Sequence, residues 1–599
     1  MSLASPSAKP RNYEHPMWWQ RHPAWLWFIV LLPVLLFLGV FFLYPLAKVL
    51  VQSIYSPRFT LANYRRIFTG GTYLGLIWNT IRLSAEVAFG ALLVGYPIAA
   101  WLSRLRGVAL SLGLALVMMP LWTSALVRNY AWIIVLRRGG PMSSLIEALG
   151  FGTPDLLYSE GTVIFGMIYT LLPYMVFTLY NSLRNIDMRL IDAAKGLGAS
   201  SATAFVKVYF PLSMPAVSAA SLLVFVTSIG FFITPAMLGG GHVDMIAPQI
   251  DTQMNLLTNW GFGAALSTVL FVIVAAVLAV SLCVLDAEAL GLQKGTGAAT
   301  PAAEEAEAAF NADAARRLAQ PIQTRRTARE FAAPPVAFGP RVLGLFSTLV
   351  LITLFLPIVV IAASSFTATS YIAFPPRGWS LQWYRVVLGD AGWIDAAMLS
   401  LKVASLTALS AVVLGTVTSL GLVRGRLFGR QALHLLFIAP MIVPTIVTAV
   451  GVYFLFVELR LLGSIWSFVL AYTVQAMPIV ILVVSSSLRR VNLSLERSAT
   501  ILGASPLRAF FAVTMPAIWP SIAAAGLFAF IHAFDDVVIA EFIAGTTMAT
   551  LPKKMWVSLV YSIDPTISVV STIFVAVSIL MLLTVVAVQR FGASRPAEG

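Results

Sequence analysis

Two adjacent acidic residues, Asp535 and Asp536, occur within an apolar stretch of this 599-residue chain. Charged side chains are costly inside a membrane, and those that occur there commonly face a pathway or pair with another charge. Carboxylates in such a place attract cations, so both residues are candidates for lining a route across the membrane. The alternative is that they cap a break in the helix that carries them.

The rest of the sequence offers little for catalysis. No cluster of His, Cys, Asp or Glu has the spacing of a metal site or of a nucleophilic centre, and the one cysteine, Cys283, excludes an internal disulfide. The sequence also lacks Gly-x-x-x-x-Gly-Lys-Ser/Thr, a loop that holds nucleotide phosphates. We therefore expect no catalytic residue, no metal and no cofactor, and a membrane-bound enzyme is only a remote alternative.

Composition indicates a protein surrounded by lipid. Hydrophobic residues make up 59% of the chain and charged residues 11%, with a mean hydropathy of +0.88. Soluble proteins carry roughly 25% charged residues. The formal net charge of +14 does not point to nucleic acid, because Lys and Arg cluster in short loops between apolar runs.

Twelve apolar runs are long enough to cross a bilayer as helices, which takes about 20 residues each. Six lie near 24–49, 74–102, 108–136, 161–183, 212–238 and 262–286, and six near 341–366, 394–423, 431–457, 463–488, 520–545 and 567–588. The sequence therefore predicts an all-α polytopic membrane protein with 12 transmembrane helices, arranged as two tandem six-helix halves.

Most Lys and Arg residues lie in every second loop, and such loops stay in the cytoplasm. This bias predicts a multi-pass protein of the cell inner membrane with both termini inside. The predicted parts are a cytoplasmic tail at 1–23, a first half at 24–287, a polar cytoplasmic linker at 288–340, a second half at 341–589 and a cytoplasmic tail at 590–599.

The two halves are copies of one another. Leu-Gly-Ala-Ser at 197–200 recurs at 502–505, an offset of 305 that also relates Pro211 to Pro516. Upstream, an offset of 320 relates Pro120 to Pro440, so the first half carries an insertion within 137–160. A register shared through helices and loops indicates a tandem duplication in parallel orientation.

One inner loop in each half has a distinctive sequence: "RLIDAAKGLGASSATAFVKVYFPLSMP" from Arg189, and "SLERSATILGASPLRAFFAVTMPAIWP" from Ser494. Gly198 and Gly503 suit the left-handed position that ends a helix. Ser200 and Ser505 can each cap a following helix. The sequence predicts a short helix-turn-helix on the inner surface, with alanines that allow a partner to approach closely.

These loops resemble the coupling loop of permeases from binding-protein-dependent ABC importers, which docks on an ATPase subunit. The resemblance assigns Asp192, Ala193, Ala194, Gly198 and Pro211 to the coupling loop of the first half, and Arg497, Ala499, Gly503 and Pro516, with the neighbouring Glu496, to that of the second half. The second half departs from the family pattern, because Arg497 stands where an acid is usual, with Glu496 adjacent.

The resemblance implies a transport subunit rather than an enzyme, working with two copies of a separate ATPase and a periplasmic solute-binding protein. Further segments resemble the two permeases of spermidine/putrescine-type systems, here fused: "FFITPAMLGGG" at 231–241, "FAFIHAFDDVVIAEFIAG" at 528–545 and "LPKKMW" at 551–556. They imply a small charged solute, above all a polyamine. An opine, a phosphonate or an amino-acid-like solute is the alternative, and a secondary transporter of the major facilitator type is a remote one.

Overall fold

The computed structural model describes residues 24–284 and 340–593, except 56–57, 153, 373, 426, 546–547 and 562–563. Three predicted segments lie wholly or partly outside the described residues: the N-terminal tail at 1–23, the linker at 288–340 as far as residue 339, and the C-terminal tail from residue 594 onwards. The regular elements of the described part are helices, which confirms the all-α fold.

The first half contains fourteen described helices, with short π-helical segments at Gly39–Leu43, Phe205–Tyr209 and Thr252–Leu256. They are α1 (Ala24–Leu38), α2 (Tyr44–Ile54), α3 (Ala62–Thr69), α4 (Gly71–Leu102), α5 (Gly107–Trp122), α6 (Ala125–Leu136), α7 (Pro141–Ala148), α8 (Glu160–Leu183), α9 (Met188–Gly196), α10 (Ser201–Ala204), α11 (Phe210–Ile229), α12 (Ile233–Leu238), α13 (Ile246–Asp251) and α14 (Trp260–Val284).

The second half repeats this order of α-helices with two differences: one continuous helix replaces α1 and α2, and α7, which lies in the predicted insertion, has no counterpart. Its helices are α15 (Pro340–Ser364), α16 (Gln382–Gly389), α17 (Ala391–Arg424), α18 (Arg430–Ile442), α19 (Thr445–Glu458), α20 (Ile465–Arg490), α21 (Leu493–Ile501), α22 (Pro506–Ala509), α23 (Met515–Asp535), α24 (Val538–Ile543), α25 (Leu551–Tyr561) and α26 (Thr566–Ala593). A π-helical segment, Phe510–Thr514, precedes α23.

In the described part of the chain, nine helices are long and apolar enough to cross a membrane, and two bent helix pairs raise this number to eleven. The twelfth predicted span, 567–588, falls on α26, whose described side chains end at Leu580. The polytopic membrane fold is confirmed, and the count of twelve stays a prediction.

The third span of each half is not the single helix that the apolar run predicts. Helices α5 and α6 meet at 93°, and α18 and α19 meet at 95°. In the second half the break falls at Val443 and Pro444, because proline disfavours the helical conformation of the residue before it. In the first half, Thr123 and Ser124 are extended, and the Arg128 guanidinium donates to the Pro120 carbonyl near the end of α5.

The first helices of each half pack against the other half. Helix α2 lies so close to α19 that a Cβ on Gly451 would sit 3.0 Å from the backbone carbonyl of Pro45. On the opposite side, the Tyr169 hydroxyl of α8 donates a 2.8 Å hydrogen bond to the Leu354 carbonyl of α15. This exchange joins the halves into one body with an interface along its length.

Candidate functional site

The inner loop of the first half has the predicted helix-turn-helix geometry. The Asp187 carboxylate caps α9 by accepting from the Arg189 N–H at 2.9 Å. After α9 the chain turns at Gly198, whose φ of 89° lies in the left-handed region that glycine tolerates. The Ser200 hydroxyl then accepts from the Thr203 N–H at 3.1 Å and caps α10.

The inner loop of the second half repeats this backbone with different side chains. Asn492 caps α21 by accepting from the Ser494 N–H at 3.0 Å. Gly503 has a φ of 90°, and the Ser505 hydroxyl accepts from the Arg508 N–H at 3.4 Å. The two loops therefore present the same surface shape at an offset of 305 residues.

Each loop exposes a large apolar side chain at its tip. Leu197 is 91% exposed and Leu502 is 87% exposed, although leucine side chains gain free energy from burial. Asp192 and Ala193 are exposed next to this tip in the first loop. In the second loop, Arg497 is partly buried.

The remaining matched positions of the loops are two alanines and two prolines. Ala194 and Ala499 are partly buried beneath the tips. Pro211 and Pro516 are exposed, and each lies just after a π-helical segment, Phe205–Tyr209 or Phe510–Thr514. A proline inside a continuous helix removes one backbone hydrogen bond, and the π-helical segment is the local irregularity that accompanies it.

Glu496 does not lie on the exposed face of the second loop, so it cannot replace the acid expected at Arg497. Its side chain is fully buried and forms an ion pair with Arg424 at 2.9 Å. One step along a helix turns a side chain by about 100°, which separates two adjacent residues onto different faces. The corresponding residue of the first loop is Ile191, which is also fully buried.

The acidic pair at 535–536 lies at a break, and the continuous helix predicted over 520–545 is wrong. Helix α23 ends at Asp535, and Asp536 adopts an extended conformation. The Asp536 carboxylate accepts from the Ile539 N–H at 2.9 Å and so caps α24. A carboxylate satisfies the free N–H groups at a helix start, which explains one of the two acids.

Asp535 instead reaches the other half. Its carboxylate accepts a 3.4 Å hydrogen bond from the backbone N–H of Ala125, directly after the break between α5 and α6. The equivalent of Asp535 in the first half is Gly230, and a Cβ on Gly230 would lie 2.7 Å from Pro444 at the break between α18 and α19. Helix breaks of the two halves therefore meet at two places. One is the polar contact of Asp535 with Ala125, and the other is the close apolar contact of Gly230 with Pro444.

A cavity of about 840 Å³ lies against the apolar contact. Helix α11 lines one wall with Thr227, and α18 lines the other with His434. Gly230, Pro444 and Val538 line it at the breaks. Of its described lining residues, none carries a carboxylate. The cavity has room for a small solute, and Ala125, whose N–H donates to the Asp535 carboxylate, is one of its lining residues.

Sequence reasoning missed Arg128, which is 6% exposed and lies close enough to interact electrostatically with Asp535. Ser124, at the break itself, is 1% exposed. The signal for Arg128 was a single arginine within the apolar run 108–136. Its electrostatic interaction with Asp535 could not be predicted, because the two residues are more than 400 positions apart in the sequence.

Comparison with known proteins places the chain in a family. The model described as "Binding-protein-dependent transport system inner membrane component" matches residues 91–285 and 411–595. The chain therefore belongs to this family and contains its domain twice. It is accordingly a multi-pass transport component of the inner membrane, which removes the major facilitator alternative.

Individual relatives match about one half of the chain each. The spermidine/putrescine transport system permease protein PotB of Haemophilus influenzae is 34% identical over 254 residues, covering 42% of this chain and 87% of the relative. The putrescine transport system permease protein PotI of Escherichia coli is 34% identical over 230 residues, covering 37% and 80%. A solved bacterial alginate ABC transporter, in complex with an alginate pentasaccharide-bound periplasmic protein, is 16% identical with a TM-score of 0.36, covering 44% of this chain and 96% of the solved chain.

Proposed function

We propose that this chain supplies both membrane halves of an ATP-driven importer, with two copies of a separate ATPase docked on its inner loops. The observation that carries the proposal is the repeated loop geometry with Leu197 and Leu502 almost fully exposed at the tips. Exposed apolar side chains on a turn of fixed shape favour a protein partner. Two equivalent loops provide for two equivalent partners.

The two loops offer different chemistry to those partners. In the first, exposed Asp192 and Ala193 provide an acidic contact beside a small side chain. In the second, Arg497 stands at the position of Asp192, and Glu496 is turned inward. The contact with the ATPase is therefore ionic with opposite sign in the two halves, while Gly198 and Gly503 give both the same shape.

The proposed orientation places both termini and both loops in the cytoplasm, since the loops rich in Lys and Arg resist translocation. Residues 24–287 and 341–589 then form the two halves, joined by the cytoplasmic linker at 288–340. On the outside, a periplasmic solute-binding protein delivers the solute to the loops near 239–261 and 546–566.

The proposed solute is a small organic cation of the polyamine type. Two relatives that each match one half are named as spermidine/putrescine or putrescine permeases. Asp535 supplies a negative charge at the meeting point of the helix breaks, where an ammonium group gains from a carboxylate away from bulk water. Movement of the inner loops opens the interface near Asp535 alternately to each side.

Arg128 favours a second candidate, an amino-acid-like or opine solute. A guanidinium that interacts electrostatically with Asp535 provides one group for a carboxylate and one for an ammonium, which suits a zwitterion better than a polycation. In the polyamine case, Arg128 instead limits the strength with which Asp535 holds the cation, so that the solute is released.

Uptake by cells that express this chain with its cognate ATPase and binding protein tests the proposal. Radiolabelled putrescine and spermidine are compared with a radiolabelled amino acid, with and without excess unlabelled competitor. Saturable polyamine uptake that the amino acid does not inhibit supports the first candidate. Uptake of the amino acid alone supports the second, and uptake of neither contradicts both.

A further inference from the structure

A buried polar network holds the second inner loop to two membrane helices. The two terminal guanidinium nitrogens of Arg424 lie close to the two carboxylate oxygens of Glu496: Nη1 is 3.0 Å from Oε1, and Nη2 is 2.9 Å from Oε2. The Thr514 hydroxyl donates to the same carboxylate at 3.0 Å. The side chain of Arg424 is 6% exposed and that of Glu496 is 0% exposed, so the network is shielded from water.

The three residues belong to three different elements. Arg424 is the last residue of α17, Glu496 lies in α21, and Thr514 is the last residue before α23. Helix α23 ends at Asp535, beside the inter-half contact. The network therefore connects the loop that faces the proposed ATPase with the helix that carries the proposed solute residue.

The first half lacks the carboxylate at the centre of this network. The offsets of 320 and 305 relate Arg424, Glu496 and Thr514 to Arg104, Ile191 and Tyr209. Ile191 is 0% exposed and Tyr209 is 1% exposed, and Phe205 packs near Tyr209 with ring centroids 5.9 Å apart. The first loop thus has a buried aliphatic side chain, Ile191, at the position where the second has the Glu496 carboxylate, and Tyr209 lies near Arg104 at the position of Thr514.

These two kinds of attachment respond differently to force. A two-point arginine–carboxylate contact fixes both distance and orientation, and separating its members leaves buried charges unpaired. Packing between apolar side chains is non-directional and lets surfaces slide by small amounts while remaining buried.

We propose that Glu496 is a positioning residue that makes α21, the end of α17 and the start of α23 move as one body, whereas the first loop is more loosely attached. This inference rests on the proposed function, because it assigns a rigid connection between loop and membrane helices to the second half and a more flexible connection to the first. The rigidity itself is a property of the isolated chain and is measured without the ATPase or the solute.

Pulsed electron paramagnetic resonance on the full chain in nanodiscs tests the proposal. Spin labels are placed, in a Cys283→Ser background, at Leu502 and Phe428 in the second half and at the equivalent Leu197 and Val108 in the first. All four side chains are at least 75% exposed. The distance distribution of the second pair should be at most half as wide as that of the first.

Exchanging the residues should exchange the behaviour. Glu496→Ile with Thr514→Tyr should widen the second distribution to the width of the first, and Arg424→Glu with Glu496→Arg should restore a narrow one. The reverse graft, Ile191→Glu with Tyr209→Thr, should narrow the first distribution and provides an answer if the second-half variant fails to fold.

Equal widths in the unmodified protein would overturn the proposal, as would grafts that leave both widths unchanged. Solute uptake by the unmodified protein is measured separately. A narrow distribution for the second loop without solute uptake would contradict the proposed function and still support the role of Glu496. Solute uptake without a difference in width would support the proposed function and contradict the role of Glu496.

Discussion

The carboxylate of Asp535 accepts a hydrogen bond from the backbone N–H of Ala125 at 3.4 Å, and this contact joins a helix break in one half to a helix break in the other. Helix breaks free backbone N–H groups, and a carboxylate is a strong acceptor for them. In the proposed mechanism, Asp535 loses this partner when the halves move apart and becomes available to a cation. The proposal thus links the opening of the interface to the binding of the solute.

Neutralising Asp535 should impair uptake, while the same change at its neighbour should have little effect. We expect Asp535→Asn to lower the initial rate of polyamine uptake at least about 10-fold, which corresponds to about 1.4 kcal/mol. Asp536→Asn keeps an oxygen to cap α24 at Ile539 and should retain most of the activity. Equal uptake by both variants and the unmodified protein, at equal amounts in the membrane, would remove Asp535 from the route.

A side chain at either loop glycine should uncouple ATP hydrolysis from uptake. Gly198 and Gly503 have φ values of 89° and 90°, with no other atom within 4 Å of a built Cβ, so a substitution causes backbone strain without a clash. A non-glycine residue in this region costs about 1–2 kcal/mol, and we expect Gly198→Val and Gly503→Val to displace the tip.

Gly429 is the matched control for strain alone, since it has a φ of 66° and equally open surroundings but lies outside both loops. ATP hydrolysed per solute imported should rise for the two loop variants and stay unchanged for Gly429→Val. An identical rise in all three variants would attribute the effect to general strain.

The close approach of the halves should be visible in thermal stability. A Cβ at Gly451 would lie 3.0 Å from the Pro45 backbone, and overpacking of this kind costs about 1–3 kcal/mol. Gly451→Ala should therefore lower the midpoint of thermal unfolding in detergent. Gly39→Ala, with no atom within 4 Å of its Cβ, should leave it unchanged or raise it.

Stability should depend on the ionisation of Asp251, which lies outside the predicted spans. Burial raises the pKa of its carboxyl to about 6, against the opposing effect of a 2.7 Å hydrogen bond from Asn255. The folded chain thus holds this proton more tightly than the unfolded chain, so the contribution to stability is full below about pH 4 and is lost as the pH rises to about 6.

The variant Asp251→Asn cannot ionise and provides the comparison. Its midpoint of thermal unfolding should match that of the unmodified protein near pH 4 and exceed it above pH 6, by an amount equivalent to about 2–3 kcal/mol. A difference that does not change with pH would show that Asp251 stays in one ionisation state in the folded protein.

The duplication and the two loops could be predicted because their signals are short sequence motifs that recur at a fixed offset. Gly198 and Gly503 end a helix because glycine tolerates the left-handed conformation that the turn requires, which depends only on neighbouring residues. The Ser200 hydroxyl caps the next helix through the N–H of Thr203, three residues further on. The breaks at Ser124 and Asp536 were less accessible. Hydropathy averages over a whole span, and two extended residues between apolar helices change it very little.

The direction of a side chain depended on contacts that the local pattern does not contain. The sequence assigned Glu496 to the second loop only as the acid adjacent to Arg497. Its burial against Arg424 could not be predicted, because the two residues are 72 positions apart. The contact of Asp535 with Ala125 is more distant still, at 410 residues. Internal comparison at the offset of 305 aligns Glu496 with the apolar Ile191, which is the one sequence signal for its burial.

The central claim is that this chain moves solute through ATP hydrolysed by separate proteins seated on its inner loops. The most direct measurement is solute uptake into proteoliposomes that contain the chain with its cognate ATPase and binding protein, compared with the chain alone under a proton or sodium gradient. Uptake should require ATP on the side of the loops and the presence of the ATPase, and Gly198→Val should lower it. Uptake by the chain alone, driven by an ion gradient, would contradict the account.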